Sequence, residues 1–138
     1  MSTPDFTTHG YVIRETGPVY YTLDMDRTAA WFADVIGWHY EIDERNEQGQ
    51  GLYGCVYALP KEIETQHITP FTGIHLFRGA PTGGMAAFIK IEGLRVLHGY
   101  VVAHGWHEVT AVRTEPWGAE VCSITTPDGY EMRFFEVL

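Results

Sequence analysis

Thr126-Pro127-Asp128-Gly129-Tyr130-Glu131-Met132-Arg133-Phe134-Phe135-Glu136 is the stretch from which the fold is read. Pro-Asp-Gly is a turn with a mechanism. Proline presets φ, the aspartate can bond backbone two residues on, and glycine takes the positive-φ position. The turn joins a β-branched run, Val121 to Thr126, to a run that alternates. Successive side chains of a strand point to opposite faces. Met132 and Phe134 therefore share one face, read as core, while Glu131, Arg133 and Phe135 share the other. That second face sets a cation and an acid beside an aromatic ring, which suits the floor of a ligand pocket.

Working outward, the same order of elements occurs twice. Residues 1–16 read as a flexible lead, with a possible extra strand over Gly10 to Glu15. Gly17-Pro18 breaks the chain, and Val19 to Asp24 reads as a strand. Asp24 or Asp26 can N-cap a helix over Arg27 to Ile36. Trp31/Val35 and Phe32/Ile36 are i,i+4 pairs that mark its buried stripe. Gly37 closes it. Strands follow over Trp38 to Asp43, Leu52 to Leu59 and Gly73 to Phe77, with a loop over Pro60 to Thr72. Residues 79–84 are a glycine-rich linker between strands. In the second half, Ala86 to Glu92 reads as a strand, and Leu94, Leu97 and Val101 space a weaker helix closed by Gly105. Trp106 to Arg113, Val121 to Thr126 and Tyr130 to Val137 read as strands.

The repeat is visible in the residues themselves. Gly37-Trp38-His39 recurs as Gly105-Trp106-His107, a shift of 68, which also carries Asp24 onto Glu92. Ile74-His75-Leu76-Phe77 matches Met132-Arg133-Phe134-Phe135 at a shift of 58, the longer first-half loop absorbing the difference. Two βαβββ modules account for this, an α+β architecture with module 1 over about 17–78 and module 2 over about 85–138.

Composition narrows the function. The 138 residues suffice for one domain with a substantial core. A formal charge of −9 with two lysines argues against nucleic acid or an anionic membrane surface as partner. No apolar run approaches the ~20 residues of a membrane span, and the N-terminus lacks a signal-peptide pattern. Cys55 and Cys122 lie singly in strand-like segments and read as buried thiols of a cytoplasmic protein. No GxSxG, phosphate-cradling glycine loop or HExxH is present.

At this point the chain resembles the glyoxalase / bleomycin-resistance / extradiol-dioxygenase superfamily, the vicinal oxygen chelate proteins. Asp24 followed by Trp31-Phe32-Ala33-Asp34-Val35-Ile36-Gly37-Trp38 is similar to the D…FYxxVLGF pattern. Pro116-Trp117-Gly118 with Thr126-Pro127-Asp128-Gly129 is similar to PWG…DPDG. The resemblance covers residues 17 to 137. It implies two modules curled into a half-open barrel, helices outside, a pocket inside, and pairing as a homodimer.

The resemblance also implies four positions where metal-dependent members carry His, Gln or Glu. Here they fall on Gly17, His75, Ala86 and Arg133. One donor remains, and an always-protonated guanidinium stands at another position. The expectation is therefore no metal and no cofactor. Glu136 resembles the family's trailing acid but lies on the opposite strand face from Arg133. His39 and His107 are module equivalents with a packing or surface role, and His98 and His104 read as surface. Position alone does not choose between a pocket role and a structural role for His75, nor between a ligand contact and an ion pair with Glu131 for Arg133.

The reading that follows is a metal-independent protein of the bleomycin-resistance-like branch that binds and sequesters a planar or aromatic small molecule of antibiotic type. Trp117, Phe77 and Phe135 would stack or pack, and His75, Glu131 and Arg133 would make polar contacts. The acidic chain favours a cationic ligand while Arg133 favours an acidic or carbonyl group, so ligand charge stays open. The alternative is an enzyme of the same superfamily. It would be a metal-free lyase, isomerase or cyclase with His75 as base and Arg133 stabilising an oxyanion or enolate, or a lyase or dioxygenase with displaced metal ligands.

Overall fold

A computed structural model describes Pro4, Asp5 and residues 7–138. Its strands are β1 (Val19–Thr22), β2 (His39–Arg45), β3 (Gly51–Tyr57), β4 (Gly73–Arg78), β5 (Gly84–Lys90), β6 (Arg113–Glu115), β7 (Ala119–Thr125) and β8 (Tyr130–Val137). Helix α1 (Met25–Trp31) runs on through a π-helical turn, Phe32–Ile36; α2 is Lys61–Glu64 and α3 is Leu94–Ala103. The strands form two four-stranded sheets, ordered β1-β4-β3-β2 and β5-β8-β7-β6. In each, the first and last strands of the module pair in parallel and the others antiparallel, which is the βαβββ arrangement read from the repeat.

The alternation in β8 sorts its side chains as the period of two requires. Met132 and Phe134 are fully buried. Each such side chain contributes about 1.5–3 kcal/mol by leaving water. Ile74 and Leu76 do the same in β4. The helices cover these faces, and both modules share one core. Trp31 of α1 meets Trp106 edge-on at 5.2 Å between ring centroids, and Tyr20 stacks on Tyr130 at 4.5 Å. The Tyr130 hydroxyl accepts from the backbone N–H groups of Tyr21 and Thr82, tying β1 and the linker to β8.

Asp24 is the N-cap of α1, its carboxylate accepting from the Arg27 N–H. Asp26 instead pairs with Arg45. The glycines that follow the two long helices, Gly37 and Gly105, have φ of 89° and 79°, the left-handed termination favoured by glycine. The N-cap of α3 is Gly93, so Gly93 and not Glu92 is the equivalent of Asp24. Thirteen positions separate Asp24 from Gly37 and twelve separate Gly93 from Gly105. The π-helical turn accommodates the extra residue in module 1. The missing cap of α3 comes from β8: the Glu136 carboxylate accepts from the Gly93 and Leu94 N–H groups, both at 3.1 Å. These bonds to the charged form hold the Glu136 carboxyl below its ordinary value.

Several expectations are corrected. Trp106 to Arg113 is not a strand: Val109 makes one isolated bridge to Ile124, and β6 starts only at Arg113. The Trp106 indole donates to the Thr125 carbonyl, which keeps this segment beside β7 without a ladder. The loop after Pro60 contains the short helix α2. Gly10 to Glu15 forms no strand; an isolated Thr8–Tyr11 bridge marks a turn there. Residues 1–3 and 6 of the expected lead lie outside the described residues. Among the described residues no helix is long and apolar enough to cross a membrane.

Candidate functional site

Facing away from the core, each sheet presents a face, and the residues singled out above divide between them. On the first sheet, His75 and Phe77 project from β4 beside Cys55 and Tyr53 of β3, which pair with them in register. Val19 and Tyr21 of β1 flank them from the other side. His75 Nδ1 lies 2.8 Å from the Tyr53 hydroxyl and 3.5 Å from Cys55 Sγ, and the Tyr53 hydroxyl is 3.1 Å from that sulfur. Burial raises the Cys55 thiol. The hydrogen bond with Cys55 is the main cause that pushes Tyr53 up to about 12. Both groups therefore stay protonated at neutral pH, and the cluster offers a hydroxyl and a thiol for hydrogen bonding rather than a thiolate nucleophile. The far side of the His75 ring faces Phe71, 4.5 Å away between centroids, and the backbone of Gly17.

On the second sheet, Glu131, Arg133 and Phe135 project from β8. Phe135 stacks on Phe88 of β5 at 4.3 Å with planes 15° apart. Trp117, 56% exposed, stands over them at 5.8 Å from Phe135 and 6.3 Å from Phe88. It is held out by the turn between β6 and β7, where Gly118 takes φ of 92°. Arg133 Nη2 donates to Glu131 at 2.7 Å, and the same carboxylate oxygen accepts from the Ser123 hydroxyl at 3.2 Å. Arg113 donates to Glu115 at 2.6 Å. Phe88, Arg113, Glu115, Trp117, Val121 and Arg133 enclose an open cavity of about 450 Å³. Arg133 Nε is buried there without a hydrogen-bond partner.

Trp117 and Arg133 line this cavity, Phe135 stacks on the lining ring of Phe88, and Glu131 pairs with the guanidinium outside the lining. His75 and Phe77 do not join them: they project from the other sheet, and the cavity lined by Arg133 includes neither. Phe88, Arg113, Glu115, Tyr53 and Cys55 complete the two faces; the sequence marked Cys55 only as a buried thiol and the other four not at all. For Phe88 the signal is spoiled by a register irregularity between Met85 and Ala87, which moves β5 by one residue against β8. With it, Phe88 lies opposite Arg133 as Val19 lies opposite His75.

The donor set does not fit a divalent metal at the family positions. Gly17 and Ala86 carry no side-chain donor atom, and Arg133 is a cation engaged by Glu131. Gly17 lies directly against the His75 ring, so the one remaining donor has a bare backbone for its neighbour. Among the described residues no cluster of three or more His, Cys, Asp or Glu is placed to hold a metal ion. His39 is bonded to the Leu59 carbonyl and stacked on Tyr57, which agrees with a packing role.

Comparison with known proteins places this geometry. A family model for the bleomycin resistance protein domain matches residues 17–79. A glyoxalase-related enzyme from Clostridium phytofermentans is 50% identical in sequence; the match covers 95% of this chain and 100% of that one, with a TM-score of 0.90. A bleomycin-binding protein in complex with bleomycin is 14% identical over 90% of this chain and 98% of its own, at a TM-score of 0.64. TnmS3, an antibiotic-binding protein from Streptomyces sp. CB03234, is 11% identical over 93% and 100%, at 0.62. The last two likenesses concern the fold alone. No curated protein sequence matches the chain.

Proposed function

The chain belongs to the glyoxalase / bleomycin-resistance / dioxygenase superfamily, and from that premise we propose that it is a metal-independent small-molecule binding protein that sequesters a planar or aromatic compound of antibiotic type. The observation that carries this reading is the Phe88–Phe135 stack with Trp117 standing over it and Arg133 at its side. Rings arranged this way take a flat ligand by offset stacking, and a fixed guanidinium orients it through one polar contact. Binding by proteins of the same fold, bleomycin by one and an antibiotic by another, agrees with the reading. Sequestration protects when the protein exceeds the compound in concentration, with no chemical step.

The protein acts in this reading as a cytoplasmic homodimer. Val19, Tyr21 and Phe77, on the sheet face apart from the ligand cavity, are all exposed in a single chain. Pairing of two copies covers such faces. Adding bleomycin and a set of planar aromatic compounds to the purified protein, with thermal shift as readout, tests the proposal. A rise in Tm that survives a chelator is expected, and no response to any of them speaks against it.

A second reading rests on a different observation. The 50% identical relative is described as a glyoxalase-related enzyme, and His75 is held by Tyr53 and Cys55 in one orientation. In a metal-free enzyme His75 would take a proton; Arg133, expected to stabilise the resulting oxyanion or enolate, projects from the other sheet and lines a cavity to which His75 does not contribute. His75→Ala that keeps ligand binding and abolishes turnover would favour this reading.

A further inference from the structure

We propose that the ligand of the second-sheet cavity is a planar aromatic anion, its ring against Phe88 and Trp117 and its carboxylate, phenolate or enolate group on the Arg133 guanidinium. This rests on the binding reading above and fixes the ligand charge that the chain's composition leaves open. A formal charge of −9 suggests a cation, but charge is read by the groups within a Debye length that face the ligand, not by the total.

Those groups point the other way. The cavity lining holds two guanidinium groups, Arg113 and Arg133, and one carboxylate, Glu115. Glu115 is paired with Arg113. The other nearby acid, Glu131, is not in the lining and accepts from both the Arg133 guanidinium and the Ser123 hydroxyl. Glu131 therefore orients Arg133. Nη2 is the Arg133 nitrogen that Glu131 engages, and Nε is buried with no partner. The half-exposed remainder of the guanidinium lines the cavity, where an anionic oxygen forms a charge-assisted hydrogen bond with it. An ammonium group in the same place would meet two guanidinium groups and no free acid.

Isothermal titration of the purified full chain at neutral pH with three ligands sharing one ring tests this. They are naphthalene carboxylate, its carboxamide and the naphthylmethylammonium ion. The carboxylate should bind at least about tenfold more tightly than either of the others, the ratio expected of one charge-assisted contact. Arg133→Met, checked for folding by its melting transition, should reduce that preference to within about twofold while the carboxamide still binds. Equal binding of the three, or tightest binding of the ammonium ion, overturns the anionic assignment and leaves ring binding standing. A carboxylate preference that persists in Arg133→Met also overturns it. Failure of all three to bind at millimolar concentration removes the ring-binding reading and this inference with it.

Discussion

Glu136 and Trp117 behave oppositely although both lie at the edge of the second module. Glu136 caps α3 from a strand 42 or 43 residues away in sequence. A carboxylate held below its ordinary value stabilises the fold above its unfolded value and stops doing so as the pH falls through the folded one. The melting-temperature gap between the native protein and Glu136→Gln should therefore be full at neutral pH and close as the pH drops below about 4.5; a gap independent of pH contradicts the capping role. Trp117 is exposed and supports nothing beneath it except the aromatic platform. Trp117→Ala should change stability by less than about 0.5 kcal/mol, yet weaken binding of a planar ligand about two- to tenfold by titration. Arg133 was legible in the sequence because strand alternation fixes which face it takes. The capping role of Glu136 was not, because a cap supplied from another strand leaves no local signature.

At the scale of elements, the turn that begins β8 also joins the modules. The Asp128 carboxylate accepts from the Thr28 hydroxyl at 2.6 Å and from Arg27 at 2.7 Å, and Thr28 is in turn bonded to Thr22. Proline and glycine make Pro127-Asp128-Gly129 a turn; the aspartate faces α1 of the other module. Asp128→Ala leaves the buried Thr28 hydroxyl with one partner fewer and should cost about 1.5–3 kcal/mol in urea denaturation, more than its own turn requires. Strands and helices with clean periodicity were legible to within a few residues. The segment before β6 was not, since alternation in Trp106 to Arg113 reports which side chains are covered rather than whether a ladder forms. The π-helical turn escaped too, because one added residue hardly disturbs an i,i+4 stripe.

For the whole molecule, the Trp31–Trp106 and Tyr20–Tyr130 contacts make two sequence modules one cooperative unit. Tryptophan fluorescence and far-UV circular dichroism should report a single coincident urea transition; two separated transitions would mean that the modules fold independently. The module repeat revealed this architecture in advance, but not that the His75 and Arg133 faces lie apart within one chain. Equivalence of position says what a residue faces in its own module and nothing about which module it meets. The central claim is that the Arg133 face binds a planar ligand without a metal. Native mass spectrometry of freshly purified protein, before and after chelation and then with naphthalene carboxylate added, tests it most directly. A dimer mass without stoichiometric metal and uptake of one ligand per chain, with or without chelator, is expected; a stoichiometric transition metal whose removal abolishes ligand uptake would overturn the metal-free reading.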